Sequence, residues 1–225
     1  MNAIFKYFAC TLFFIGGGVE ASELTLAQGI FSDLKASYFE PQQGSTRAVL
    51  MLHQCNSDRS MYDVIGPELG RRGAHALSMD FRGFSIFGDW PKDVQLAYDF
   101  LRNKIGENGK IGVIGASCGG DQAKILVKNN SINVLAFFSS SVVDEKNKDS
   151  IADYASTLAK MPTLFISAEN DFTYNGTKEA ASINTHKSSL FLSYEGNLHG
   201  YPLLDKYSDL TQKIVEWFSK NLAEK

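Results

Sequence analysis

The chain has 225 residues, 44% of them apolar and 21% charged, which suits one domain with a sizeable core and excludes a disordered or fibrous chain. A formal net charge of −3, with no basic block and no basic-aromatic interleaving, excludes an electrostatic pull toward nucleic acid and points to small-molecule partners.

At the N-terminus, Lys6 precedes an apolar run that closes on Gly16-Gly17-Gly18 and Val19-Glu20-Ala21, the layout of a secretory signal peptide. The run is shorter than the roughly 20 apolar residues that a membrane-spanning helix needs. Residues 1–21 are therefore expected to be a leader cut after Ala21, leaving one domain over residues 22–225. The protein is expected to be periplasmic or secreted, with no stable membrane insertion. Cys10 falls inside the leader without a lipoprotein-type motif before it. Cys55 and Cys118 remain, in a compartment that permits disulfides.

Leu24 to Pro41 is expected to add one or two antiparallel strands. Further strands are predicted over Ala48–His53, His75–Phe81, Ile111–Ala116, Val134–Ser139, Thr163–Ala168 and Leu190–Tyr194, apolar runs mostly bounded by glycine or polar residues. Between the first two of these, Met61, Val64, Ile65 and Leu69 fall on one helical face. Val94, Ala97, Tyr98 and Leu101 do the same behind Pro91, which a first helical turn tolerates. Leu210, Ile214, Trp217, Phe218 and Leu222 mark the last helix. Such alternation predicts an α/β fold with a mostly parallel central sheet and helices on both faces, because parallel strands need crossover helices. Residues 142–161 offer about one helix and no large cap domain, so the site is expected to be open and shallow. In sheets of this kind ligands sit outside the carboxyl ends of the strands.

One strand-to-helix junction carries a motif. Gly115-Ala116-Ser117-Cys118-Gly119-Gly120 matches G-x-S-x-G between a buried strand and a helix beginning near Gly120. A side chain at the apex of so tight a turn needs small neighbours, and the helix turns its free N–H groups toward the place where an oxyanion would form. A dinucleotide loop would need glycine where Ser117 stands. A Walker loop would need Lys followed by Ser or Thr where Asp121 and Gln122 stand.

On these residues, together with VLMLHQCNSDRS, MDFRGF, LFISAEND and LHG, the chain resembles the α/β-hydrolase superfamily, in particular small dienelactone hydrolases and esterases. Dienelactone hydrolases carry cysteine at the nucleophile position, whereas this chain has Ser117 there and Cys118 one residue later. The resemblance implies Ser117 as nucleophile, His199 in Asn197-Leu198-His199-Gly200 as general base, and Asp171 in Glu169-Asn170-Asp171 as its orienting acid, with Glu169 and Asp144 as the other carboxylates near those positions. His75 and His186 are expected to be structural and surface residues. The resemblance also places an oxyanion hole between the backbone N–H of Cys118 and that of Gln54 or Cys55, in a loop where relatives commonly have His-Gly. His53 is expected to brace that loop and Asp80-Phe81-Arg82-Gly83 to be scaffold.

Phe84, Phe87, Trp90, Phe172, Tyr174 and Tyr201 are candidates for the walls of an acyl or alcohol pocket, with core or rim packing as the alternative for each. If Cys55 and Cys118 both flank the hole, they are near enough for a disulfide; two small buried thiols are the other reading. The expected activity is cleavage of a small ester through an acyl-enzyme. A peptidase or thioesterase with the same triad, a thiol enzyme using Cys118 and a noncatalytic binding protein are the rivals. No motif calls for a metal or an organic cofactor.

Overall fold

A computed structural model of the chain describes residues 18–29, 32–83 and 89–223; most of the expected leader, Phe84 and Phe87 lie outside them. The strands are β1 (Ala21–Ala27), β2 (Leu34–Phe39), β3 (Arg47–Leu52), β4 (His75–Met79), β5 (Lys110–Ala116), β6 (Val134–Phe138), β7 (Thr163–Ala168) and β8 (Leu190–Tyr194). They form one sheet in the order β1-β2-β4-β3-β5-β6-β7-β8. β1 and β2 run antiparallel, as does β2 against β4, and every later pairing is parallel. The helices are α1 (Gly66–Arg71), α2 (Trp90–Ile105), α3 (Cys118–Asn129), α4 (Lys148–Thr157), α5 (Tyr174–Ile183), α6 (Tyr201–Lys206) and α7 (Leu210–Asn221).

The sheet is buried on both faces, which is why its central strands read as unbroken apolar runs rather than alternating ones. In β3, Ala48, Leu50 and Leu52 enter one core with residues of α2 to α5, while Val49 and Met51 enter the other with residues of α1, α6 and α7. Burying a side chain of this size removes about 1.5–3 kcal/mol of exposure cost.

The predicted face from Met61 to Leu69 is not one helix. A 3₁₀ turn spans Arg59–Tyr62, capped by the Asp58 side chain on Ser60 N, and α1 begins only at Gly66. Pro67 has no N–H to continue the ladder and disfavours helical backbone in the residue before it. Met61, Ile65 and Leu69 are buried, but Val64 is 53% exposed. At the N-terminal edge, Val19 is buried and packs on Gly70, and Ala21 pairs with Phe39. A cut after Ala21 would remove both contacts.

Register brings the functional edge together. Leu52 lies beside Gly115, Ala116 beside Phe138, and Ala168 beside Tyr194. The loops after β3, β5, β6, β7 and β8 therefore emerge along one edge, the carboxyl edge of the sheet.

Candidate active site

Ser117 joins β5 to α3 with φ +49° and ψ −119°, a conformation that costs a residue with a side chain about 1–3 kcal/mol and persists only where its surroundings impose it. Here they do. Ser117 N donates to Phe138 O at 2.9 Å, and Ser117 O accepts from Gly120 N and from Ser140 Oγ, both at 2.8 Å. A Cβ on Gly115 would stand 2.3 Å from Gly119 O, and one on Gly119 would stand 2.3 Å from Leu52 O. The glycines thus let helix, elbow and β3 close on one another. Helix α3 starts at Cys118, two residues before the expected start near Gly120, so Cys118 N–H is the first of its free donors. Ser117 is half-buried, and its Oγ has no hydrogen-bond partner among the described residues.

Asp171 and His199 meet from the loops after β7 and β8. His199 Nδ1 lies 3.0 Å from Asp171 Oδ1 and 2.9 Å from Oδ2. The Asp171 side chain is fully shielded, whereas that of His199 is 25% exposed. Thr173 N donates to Asp171 Oδ1 at 3.1 Å. Burial alone would raise the Asp171 pKa, but the hydrogen bonds from His199 and Thr173 outweigh it and hold the carboxyl below its ordinary value. A carboxylate only accepts, so the proton of a neutral His199 sits on Nδ1 and Nε2 keeps its lone pair.

The alternative carboxylates are engaged elsewhere. Glu169 accepts from Ser193 Oγ, and Asp144 closes an exposed turn by accepting from Lys146 N. His75 bonds and stacks on Tyr38, and half-buried His186 accepts from Ser188 N within its own loop.

The loop after β3 is held at three points. His53 Nε2 accepts from Phe81 N at 3.1 Å, and its Nδ1–H donates to Gln54 O at 2.6 Å. Cys55 is bonded to Cys118, with Cα atoms 5.6 Å apart, so the Cys118 sulfur is not a free nucleophile. Gln54 Oε1 accepts from Tyr201 N at 2.9 Å, reaching across the site to the start of α6, two residues beyond His199. The backbone N–H groups of Gln54, Cys55 and Cys118 have no partner among the described residues.

With His199 read as the base, Gln54→Ala should lower turnover about tenfold to a hundredfold, because small displacements of reacting groups are expensive. Gln54→Glu, which keeps an acceptor for Tyr201 N, should recover most of it in the same kinetic assay. For His53, burial holds the pKa below its ordinary value of about 6.5, and protonating Nε2 would break the bond from Phe81. The unfolded chain therefore takes up the proton first, so this contribution to stability is complete above about pH 6.5 and is lost as pH falls toward the folded value. His75, also lowered by burial, adds a slope of the same sign. In His53→Gln the urea midpoint should change less between about pH 7.5 and pH 5 than in the parent.

Arg59 and Arg82 anchor the loop after β4. Asp80 pairs with Arg59, which also reaches Glu23 and Ser37, and Arg82 pairs with the buried Asp93 of α2. Of the candidate pocket aromatics, Phe172 is 81% exposed and stacks on the His199 ring at 4.7 Å. Trp90 is buried, donates to Arg82 O and Gly83 O, and stacks on Phe81. Tyr201 is partly exposed beside the histidine loop, while Tyr174 packs on Phe191 of β8. No cluster of three or more His, Cys, Asp or Glu among the described residues is placed to hold a metal ion, and no described helix is long and apolar enough to cross a membrane.

Sequence reasoning missed the supporting shell. Ser139 adopts φ +44° at the end of β6, and its Oγ accepts from Gly200 N at 2.9 Å. Ser140 holds the Ser117 carbonyl, and its own carbonyl accepts from Thr177 Oγ1. The signal for this was the run Ser139-Ser140-Ser141, polar residues directly after a buried strand at the functional edge.

No family model and no curated protein matches the chain by sequence. Solved structures share its fold. A hyperthermophilic esterase from Pyrobaculum calidifontis superposes with a TM-score of 0.69 at 18% identity, over 89% of this chain and 85% of that one. A Pyrococcus furiosus esterase does so with 0.69 at 17%, over 91% and 92%. A dienelactone hydrolase from Anabaena variabilis gives 0.69 at 18%, over 91% and 100%. The chain has the α/β-hydrolase fold.

Proposed function

We propose that the chain is a serine hydrolase that cleaves small esters through an acyl-enzyme, with Ser117 as nucleophile, His199 as general base and acid, and Asp171 as the group that orients it. The observation that carries this reading is the buried Asp171 carboxylate on His199 Nδ1, at the same sheet edge as a serine held at positive φ. The esterases and the dienelactone hydrolase on the same fold lend it support.

Ser117 Oγ attacks the ester carbonyl carbon and passes its proton to His199 Nε2, while Asp171 stabilises the imidazolium that forms. The carbonyl oxygen becomes an oxyanion that accepts from Cys118 N–H and from the N–H of Gln54 or Cys55. As the carbonyl reforms, the bond to the alcohol oxygen breaks and His199 returns the proton to it. Water, deprotonated by His199, then releases the acid and restores Ser117. An expected leader and a disulfide both support a place outside the cytosol. The intact mass of the exported chain decides between a cut after Ala21 and one that keeps Val19.

The test is labelling of the purified protein with a fluorophosphonate, with mass spectrometry to locate the adduct. Label on Ser117 that disappears in Ser117→Ala is the expected result. Folded protein that takes no label would sink the reading and bring a binding protein on the hydrolase fold to the front.

A further inference from the structure

Next to Cys55, which is bonded to Cys118 of the elbow, lies a cavity of about 250 Å³ whose described lining comes from the loop after β3, from Phe81 and Gly83 after β4, and from Trp90 of α2. Its walls are aromatic. His53 and Phe81 have ring centroids 4.5 Å apart, and Phe81 stacks on Trp90 at 4.6 Å. Exposed Asn56 and half-buried Ser57 also line it, as does Cys55, which is bonded to Cys118. Both ring nitrogens of His53 are already engaged, so among the described residues the lining presents no charged side chain to an occupant.

The sheet order decides which end of an ester would enter. In β4-β3-β5-β6-β7-β8, the cavity lies on the β3 and β4 side of Ser117, whereas Asp171 and His199 arrive from the β7 and β8 side. The alcohol oxygen must face His199, which protonates it on departure. With the carbonyl oxygen held between the Cys118 and β3-loop N–H groups, the acyl substituent is left pointing toward the cavity. A volume below the usual range for ligand pockets suits a fragment rather than a long chain. Flat aromatic walls favour a ring that can stack or meet them edge-on, and a charged group would be desolvated there without a partner.

We propose that this cavity is the acyl pocket and that it takes a short, uncharged acyl group carrying one flat ring, so that the preferred substrates are esters of small aromatic acids. This rests on the serine-hydrolase reading. The test compares p-nitrophenyl acetate, benzoate and octanoate, which share one leaving group, with each kcat/KM divided by the hydroxide rate of the same ester. Benzoate should exceed octanoate by about tenfold or more, the scale on which pocket contacts discriminate substrates. Ser57→Phe, which pushes a ring into the mouth, should lower the benzoate-to-acetate ratio by at least about tenfold. Asn56→Phe provides a second plug should the first fail to fold.

Saturation-transfer NMR with benzamide, an uncleaved aromatic acyl compound, should give a signal that the plugs remove. Fluorophosphonate label on Ser117 with a ratio that neither plug moves, or octanoate turned over as well as benzoate, would overturn the pocket alone. Benzamide binding that the plugs abolish, in a folded chain that takes no label and cleaves no ester, would overturn the acyl role together with the reading beneath it.

Discussion

Asp171→Asn is expected to lower kcat on p-nitrophenyl acetate by about 10⁴, with the fold intact. The carboxylate accepts from His199 Nδ1 through both oxygens, at 3.0 and 2.9 Å, and from Thr173 N. An amide of the same shape offers one acceptor and one donor. With Thr173 N fixed as a donor to Oδ1, the amide oxygen takes that place and its NH₂ turns to His199, which must then present a lone pair at Nδ1 and carry its proton on Nε2. That tautomer cannot accept a proton from Ser117. Proton-detected NMR of the imidazole should show the exchange of tautomers alongside the lost turnover. Ser117→Ala should cost at least as much, and the double variant should be little worse than the worse single one, because members of a triad act as a unit. Losses that multiplied in the double variant would mean that the two residues act independently, and the proposed mechanism would fail.

Legibility in the sequence tracks the range over which each constraint acts. The elbow was readable because Gly115 and Gly119 answer a local demand: a Cβ on either would strike backbone at 2.3 Å. Asp171 and His199 were singled out only through the resemblance, which places them after two apolar runs; the structure makes those runs β7 and β8 and sets them side by side. The Met61 to Leu69 face misled because helical spacing says nothing about Gly66-Pro67, where local backbone chemistry divides the segment in two. Nor does any periodicity in the sequence mark Gln54 as the acceptor for Tyr201 N, a contact spanning 147 positions. Ser139 at φ +44° is likewise imposed by its surroundings. Such contacts exist only after the sheet has aligned its carboxyl edge, so they leave composition and spacing almost untouched.

Reduction of the Cys55–Cys118 bond by a dithiol, which takes on the disulfide as each cysteine gains a hydrogen, is expected to act on stability and turnover separately. The bond closes a loop with a sequence separation of 63, and on the chain-entropy model opening it should cost about 4 kcal/mol. For a domain of this size that corresponds to a fall in Tm of roughly 8–16 °C. Cys55 is exposed and Cys118 half-buried, so a small thiol can reach the pair in the folded state. On the proposed mechanism, the effect on turnover follows from what the bond joins: Cys118, whose N–H is one oxyanion donor, and Cys55, which supplies or adjoins the other. Misplacing one such donor costs about 10²–10³ in kcat. The loss should therefore appear well below the new Tm, in protein whose circular dichroism is unchanged. Cys55→Ser with Cys118→Ser should reproduce both effects without any reductant. A reduced protein that melted earlier but kept full turnover would show that the His53 and Gln54 hydrogen bonds hold the hole unaided, and that the disulfide serves stability alone.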